Sequence, residues 1–202
     1  MSGYKVVNLA DLVCELGEER VMEHFLSDFS CPLNEDVEKF LKEKAIEFSR
    51  QGLASTHLIF ASYQEKLVLI AYFTIANKFL TVEKATLSAK LRRKIGKFCK
   101  YNAELKRYIL PAPLIGQLGK NFTNGYNNLI SGDEVLKIAC DKIKIMQEIC
   151  GGKIVYLECE DKPCLIDFYS SNGFVNFGRR KLDKEEVGTL SGEYLIQMLR
   201  YF

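Results

Sequence analysis

The sequence of 202 residues predicts an α+β fold, a mixed twisted sheet of about six to seven strands flanked by helices. Three observations predict it. Helical periodicity dominates the chain up to Gly52, and short runs rich in β-branched and aromatic residues follow. A strand–helix–strand unit then spans Leu114–Glu160, and two more strands close the chain. Because such crossovers join parallel strands, we expect a parallel pair in the middle of the sheet.

Two amphipathic helices are predicted first. The helix Glu18–Phe29 has apolar residues at Val21, Met22, Phe25, Leu26 and Phe29. Asn34 is a good N-cap for a second helix, which we expect to end at Gly52. Its apolar face comprises Val37, Phe40, Leu41, Ala45 and Phe48. These spacings are typical of helices packed on a sheet.

A β-hairpin should follow. Thr56–Tyr63 and Leu67–Ala76 are strand-like, and the polar Gln64-Glu65-Lys66 separates them. Phe79–Val82 should continue the second strand.

Residues 83–110 interrupt this rhythm, and we read them as an insertion in a single domain spanning 1–202. The basic residues here are Lys84, Lys90, Arg92, Arg93, Lys94, Lys97, Lys100, Lys106 and Arg107. A short helix is expected at Ser88–Phe98, followed by a loop to Pro111 and Pro113. Its inner face would carry Leu87, Leu91, Ile95 and Phe98.

The second half predicts a regular series of elements. In order, these are a strand (Leu114–Gly119), a polar loop (Lys120–Ile130), a long helix (Gly132–Cys150), a strand (Ile154–Glu160), a short helix (Cys164–Asn172) and two strands (Phe174–Lys181 and Tyr194–Tyr201).

Composition argues against several classes of protein. The net charge of +2 gives no overall attraction to nucleic acid or membrane. The 7 cysteines include no Cys-x-x-Cys pair, so we expect reduced thiols with neither a disulfide framework nor a metal site. With no predicted signal peptide or membrane span, we expect a soluble cytoplasmic protein.

The start of the long helix is a candidate anion site. Ser131 and Glu134 have the spacing of a capping box, and a loop of small and amide residues precedes them. The free N–H groups and the dipole of a helix N-terminus favour phosphate. The alternative is an ordinary strand–helix connection with a good cap.

A second segment, Asp167–Phe174, predicts a short helix that ends at Gly173 as its C-cap. Considered alone, Phe168 and Phe174 would be core residues and Tyr169 a half-buried amphipathic one.

Taken together, the two segments resemble the core of the GNAT acetyltransferases over Leu114–Arg180. Phe168-Tyr169-Ser-Ser-Asn-Gly173-Phe174 matches the family's F/L-Y-x-x-x-G-F signature, and Pro113–Leu118 resembles its fourth strand, which splays from its parallel neighbour. The stretches Phe29–Cys31, Val37–Ala45 and Ile70–Thr74 resemble a compact subgroup related to bacterial toxins that acetylate aminoacyl-tRNA.

The resemblance implies acetyl-CoA as cosubstrate and direct attack by an amine on its thioester. A main-chain N–H near Leu118 or Gly119 would polarise the carbonyl, and Tyr169 would protonate the CoA thiolate. Of the family's pyrophosphate motif only Gly132 matches, although asparagine tolerates left-handed backbone, which suits Asn124, Asn127 and Asn128. The implied cofactor-binding residues are Gln117, Leu118, Gly119, Lys120, Asn127, Asn128, Leu129, Ile130, Ser131, Gly132, Asp133 and Phe168.

The base has two interpretations. Glu158 and Glu160 share a face of their strand, and we take Glu158 as the candidate that removes the ammonium proton through water. Otherwise both are structural carboxylates. Cys159 and Cys164 are read as packing residues.

Partners stay open at this stage. The basic residues Lys90, Arg92, Arg93, Lys94 and Lys97 would contact tRNA, or else they form a solvated helix face. An antitoxin partner and a homodimer are further options. The rival hypothesis is a GNAT-fold binding or regulatory module that has lost its activity.

Overall fold

The computed structural model describes residues 3–184, 187, 190 and 192–202, and its chain divides into two compact units. The first unit comprises Met1–Ala76 and Ile115–Asp141, and the second comprises Asn77–Leu114 and Lys142–Phe202. The basic residues 83–110 therefore lie within the second unit. A single domain with an insertion stays a prediction.

The first unit begins with strand β1 (Lys5–Asn8) and helix α1 (Leu9–Leu16). Helix α2 (Glu18–Val21) continues as a π-helical turn, Met22–Leu26. Helix α3 (Glu35–Lys39) continues through a second π-helical turn, Phe40–Lys44, into α4 (Ala45–Arg50). Asn34 caps α3 as predicted, because its side chain accepts hydrogen bonds from the N–H groups of Asp36 and Val37.

Strands β2 (Ser55–Tyr63) and β3 (Lys66–Glu83) form the predicted hairpin, with Tyr63 opposite Lys66. The two turn residues, Gln64 and Glu65, have φ of 48° and 63°. Two left-handed residues in a row make the kind of tight turn whose twist matches that of the strands. Strand β3 runs on through Phe79–Val82, as predicted.

The remaining elements begin with helix α5 (Ala89–Ile95), strand β4 (Tyr101–Asn102) and strand β5 (Arg107–Lys120). Helix α6 (Gly132–Cys150) and strand β6 (Ile154–Glu160) follow with the predicted bounds. The chain ends with helix α7 (Pro163–Ser171) and strands β7 (Val175–Lys181) and β8 (Tyr194–Tyr201).

The strands of the described residues form one sheet of eight, ordered β1-β2-β3-β5-β6-β8-β7, with β4 paired to β5. Strand β8 is antiparallel to both β6 and β7, with Glu158 opposite Gln197. The neighbours β5 and β6, joined through α6, are the parallel pair. The prediction of a mixed α+β sheet is thus confirmed, with β1 and the short β4 as strands that the sequence analysis missed.

Each unit has its own apolar core. In the first, Leu9, Phe29, Leu41, Leu58 and Tyr72 are fully buried. In the second, the core joins β3, α5, β5, β6, β7 and β8 through Leu80, Leu87, Ile95, Leu110, Tyr156, Phe177 and Leu199. The predicted inner face of α5 is confirmed for Leu87, Leu91 and Ile95. It is wrong for Phe98, which follows the end of the helix and is 43% exposed.

Strand β5 begins at Arg107, seven positions before the predicted Leu114. Pro111 and Pro113 suggested a loop because proline cannot donate to a sheet. Their spacing of two places both missing N–H groups along the same edge of the strand, so the other edge keeps its donors. Within the described ranges, no helix is both long and apolar enough to cross a membrane.

Candidate active site

The end of strand β5 carries the first predicted site residues. The N–H of Gln117 donates to Oγ1 of the buried Thr74 at 2.8 Å, and its side-chain Nε2 donates to Oδ2 of Asp36 at 2.8 Å. The amide of Gln117 is therefore committed to helix α3. Any contact it makes with a cofactor would have to come from its main chain or its remaining polar atoms.

Gly119 lies against the same helix. A Cβ atom built on Gly119 would come within 2.4 Å of Val37 Cγ1, and within 3.7 Å of both Phe29 and Tyr72. Cβ atoms in real structures essentially never approach another atom below about 3.0 Å, so only glycine fits without a shift. Close packing thus explains this residue, independently of any ligand.

Asn121 secures the loop that follows β5, and it is only 3% exposed. Its Oδ1 accepts hydrogen bonds from the N–H groups of Ser30 and Thr123 at 3.0 and 3.1 Å. Its Nδ2 donates to the carbonyl of Leu69 at 2.9 Å, and its N–H donates to that of Ile70 at 2.8 Å. One buried amide therefore joins the loop to β3 and to the segment after α2.

The loop then forms a short 3₁₀ segment, Thr123–Leu129. Asn124 and Gly125 are left-handed, with φ of 52° and 75°. The expectation of left-handed asparagine is correct for Asn124 and wrong for Asn127 and Asn128, which keep negative φ. Lys120 Nζ donates to the carbonyl of Asn127 at 3.1 Å, which brings a positive charge to the loop.

The capping box at the start of α6 is confirmed. Ser131 Oγ accepts from the N–H of Glu134 at 3.2 Å, and Glu134 Oε2 accepts from the N–H of Ser131 at 2.8 Å. These bonds hold the pKa of the Glu134 carboxyl below its usual value. The N–H groups of the first turn have no partners within the helix itself, so the helix dipole and these donors favour an anion here.

Tyr4 is a functional candidate that the sequence analysis missed. Its hydroxyl lies 3.0 Å from the carbonyl oxygen of Leu129 and 3.1 Å from Glu134 Oε1. It therefore ties the loop before α6 to the first turn of the helix. Burial and the neighbouring Glu134 raise the pKa of Tyr4.

In the second unit, the end of helix α7 orients Tyr169. The carbonyl of Tyr169 accepts from the N–H of Phe174 at 3.0 Å, and that of Ser170 accepts from Gly173 at 3.0 Å, with Gly173 at φ 80°. This is the Schellman pattern, and the ring centroids of Tyr169 and Phe174 lie 6.0 Å apart across it. The Phe-Tyr-x-x-x-Gly-Phe sequence is therefore a helix stop that fixes its own tyrosine.

The surroundings keep Tyr169 protonated. Phe168 packs on its ring, with centroids 4.9 Å apart. Burial, and secondly the nearby Cys159, raise the pKa of the phenol. Burial likewise raises the pKa of the Cys159 thiol to about 11, with contributions from Asp161 and Glu160, so this thiol stays neutral at physiological pH.

Glu158 is engaged on both carboxylate oxygens. Arg180 donates to Oε2 at 2.8 and 2.9 Å, and Gln197 Nε2 donates to Oε1 at 2.7 Å. Glu160, also named as a candidate base, is 7% exposed and pairs with Lys162 at 2.7 Å. These pairings favour the structural interpretation of both carboxylates.

The predicted residues thus form two groups. Gln117–Lys120 and Asn127–Asp133 belong to the first unit, while Glu158, Phe168 and Tyr169 belong to the second. The residues that the sequence analysis missed in the first unit are Tyr4, Asp36, Thr74 and Asn121. Their partners lie far away in sequence, so no local motif marks them.

No protein-family model matches this chain, and no curated protein matches it. Solved structures do. A bacterial toxin aligns with TM-score 0.62 at 16% identity, over 100% of this chain and 92% of its own. AtaT complexed with acetyl-methionyl-tRNAfMet aligns with TM-score 0.61 at 15% identity, covering 96% and 93%. AtaTR bound with AcCoA aligns with TM-score 0.56 at 14% identity, covering 97% and 93%. The chain has the fold of these proteins, and the fold expected from the GNAT resemblance is confirmed.

Proposed function

We propose that this chain transfers the acetyl group of acetyl-CoA to a primary amine, with both substrates bound together and Tyr169 as the general acid. The observation that carries the proposal is the setting of Tyr169. A general acid must hold its proton until the leaving group departs. Burial raises the pKa of this phenol, and the turn at Gly173 fixes its helix end.

The phosphates and pantetheine of acetyl-CoA would bind in the first unit. The N–H groups of Asn127, Asn128, Leu129, Ile130, Ser131, Gly132 and Asp133 are the candidates for the pyrophosphate, at a capped helix start with Lys120 nearby. The main chain of Gln117, Leu118 and Gly119 would pair with the pantetheine, and one of its N–H groups would polarise the thioester carbonyl. The fold supports this assignment, since AtaTR of the same fold is bound with AcCoA.

The reaction proceeds by direct attack. The amine nitrogen forms a bond to the acetyl carbon, and the carbon–sulfur bond breaks. Tyr169 gives its proton to the departing thiolate and regains one as the nitrogen loses a proton, which leaves an amide and free CoA. Phe168 packs on the Tyr169 ring and limits its movement.

Glu158 remains a predicted base rather than a supported one. Its two oxygens are held by Arg180 and Gln197, so a proton transfer would have to displace a charge-assisted hydrogen bond.

The acceptor class we propose is an aminoacyl-tRNA, since AtaT of the same fold is complexed with acetyl-methionyl-tRNAfMet. The exposed Lys90, Arg93 and Lys97, with the partly exposed Arg92 and Lys94, would contact its phosphates. Their inner neighbours Leu87 and Ile95 are buried, so the charged face is held outward. A bound antitoxin would fit the same reading, because AtaT of this fold is bound to the C-terminus of AtaR.

The alternative is an inactive binding module of the same fold. One observation favours it: only Gly132 matches the usual pyrophosphate motif, and the loop before it is tied internally through Tyr4 and Lys120.

Calorimetry with acetyl-CoA separates the two. We expect the wild type to bind acetyl-CoA, Tyr169→Phe to bind it equally well, and the turnover of that variant to fall by about 100-fold, a typical contribution of a general acid. Tyr156→Phe, which alters another buried tyrosine of the second unit, should keep its turnover. Absence of binding at millimolar acetyl-CoA would establish the inactive module instead.

Expression in bacteria tests the toxin aspect. Wild type should slow growth, and Tyr169→Phe should not. Equal growth of both strains at equal protein levels would exclude toxicity.

A further inference from the structure

A carboxylate lies beside the end of strand β5, at the place where the thioester would be held. Asp36 is the second residue of α3, and its N–H donates to the capping Asn34 at 3.0 Å. Its Oδ2 accepts from Gln117 Nε2 at 2.8 Å, and its side chain is partly exposed. A half-exposed carboxylate anchored through one oxygen can still bind a further donor with the other.

The position of this carboxylate is set by the packing of α3 on the strand. Val37 fills the space over Gly119, and the buried Tyr72 donates its hydroxyl to the carbonyl of Val37. These contacts come from the residues on either side of Asp36 and Gln117. The first turn of α3 therefore cannot move away from Gln117–Gly119 without opening the core of the first unit.

The charged neighbours leave Asp36 available. Lys39, the cation on the same helix, pairs with Glu35 at 2.9 Å. The other titratable groups that act together with Asp36 are Cys31 and Tyr72, and burial raises the pKa of both above its usual value. Neither supplies a positive charge, so nothing among these groups neutralises the Asp36 carboxylate.

We infer that Asp36 binds the ammonium group of the acceptor and accepts its first proton. This inference rests on the proposed function. Glu158 is a weaker candidate for the same role, because both of its oxygens are already bonded. Gln117 is then a positioning residue, which holds one oxygen of Asp36 and leaves the other to the substrate.

The proton balance is simple. The ammonium of the acceptor gives one proton to the Asp36 carboxylate, which releases it to water after turnover. The resulting amine attacks the acetyl carbon, and Tyr169 exchanges protons with the thiolate and the nitrogen as described above. The net products are the acetylated amine, free CoA and one proton.

The test compares Asp36→Asn with Glu35→Gln in the full chain. Asparagine keeps the shape and a hydrogen bond to Gln117, while Glu35 is an exposed carboxylate one residue away whose side chain is 71% accessible. The acceptors are initiator methionyl-tRNA, a peptide with a free N-terminus and a peptide lysine, and the one that the wild type acetylates is used throughout. Acetyl-CoA binding is measured in parallel by calorimetry.

We expect Asp36→Asn to lower kcat/KM for the acceptor by about 100-fold, the range of general-base catalysis, with acetyl-CoA affinity unchanged within about twofold. Asp36→Glu should recover part of the loss, since it restores the charge. Glu35→Gln should stay within about twofold of wild type. If Asp36→Asn is as active as Glu35→Gln while the wild type binds acetyl-CoA and turns over, the inference is wrong and the proposed function stands. If the wild type binds no acetyl-CoA or acetylates none of the three acceptors, the proposed function fails and this inference with it.

Discussion

The hydrogen atom on Gly119 lies where a methyl group would meet Val37 Cγ1 at 2.4 Å. The flanking contacts with Phe29 and Tyr72 are at ordinary distances, so the conflict comes from Val37 alone. A single glycine thus sets how closely helix α3 approaches β5. It thereby sets where Asp36 meets Gln117.

Gly119→Ala should lower the free energy of unfolding by about 1–3 kcal/mol, the usual cost of overpacking a core. Chemical denaturation measures it. Gly178→Ala is the matched control, because its Cβ would meet Gln197 Oε1 at an ordinary 3.5 Å. Combining Gly119→Ala with Val37→Ala should cost less than the sum of the two changes, since the shortened residue makes room. A strictly additive result would contradict this account.

Asn121 shows why an amide rather than a carboxylate occupies its position. Its oxygen accepts from two main-chain N–H groups and its nitrogen donates to a carbonyl, so both functions of the amide are used. An aspartate could not donate to Leu69, and an alanine would leave buried main-chain groups without partners, which is costly. The loop that we propose for the pyrophosphate depends on this side chain for its path.

At the scale of elements, two helix ends are specified by local sequence. The N-terminus of α6 is stabilised by reciprocal bonds between Ser131 and Glu134, and the C-terminus of α7 by the left-handed Gly173. Both are motifs that sequence alone predicts, because all their partners lie within five residues. The candidate anion site and the candidate acid each lie at one of these ends.

Helix α5 presents a cationic face within the second unit. Replacing Lys90, Arg93 and Lys97 together by alanine should weaken tRNA binding and reduce its salt dependence, since each lost phosphate contact lowers the slope by roughly 1. The three side chains are exposed, and Ser88 still caps the helix, so stability should change little. Binding is measured by fluorescence anisotropy over a range of salt concentrations.

The control for that experiment is a second triple variant outside the helix, at the exposed Lys5, Lys66 and Lys137. It removes the same net charge. If both triple variants weaken tRNA binding equally, the effect is one of total charge, and α5 has no special part in it.

At the scale of the whole molecule, buried weak acids couple stability to alkaline pH. Burial raises the pKa of Tyr156 from 10.0 to about 12 and that of Cys159 from 9.0 to about 11. It also raises the pKa of Tyr72 and Tyr169. Above pH 9 the unfolded chain releases these protons first, so it binds fewer protons than the folded chain. The free energy of unfolding should therefore fall as the pH rises towards 12.

Urea unfolding at about pH 8, 9.5 and 10.5 measures this decline, at up to about 1.4 kcal/mol per pH unit for each group that ionises only in the unfolded chain. Tyr156→Phe should make the decline shallower. Tyr101→Phe, which changes an exposed tyrosine of the same unit, should leave it unchanged. A flat stability profile in the wild type would show that these groups ionise without unfolding.

The helix α6 and the strands β6 and β8 were predicted with the bounds that the structure has, because their periodicity and caps are local. The early start of β5 was missed, since proline is a strong local signal against a strand while the sheet needs donors on only one of its edges. The four-residue β1 carries too little pattern to be recognised alone.

The sequence by itself determined the order of the elements, the capped start of α6 and the turn that holds Tyr169, because each depends on residues a few positions apart. The tertiary structure decided the rest of the candidate site. Tyr4 meets Glu134 across 130 positions, Asn121 meets Ser30 across 91 and Gln117 meets Asp36 across 81. Such contacts arise only when the sheet brings distant segments together, and no local propensity encodes which side chains will then face each other.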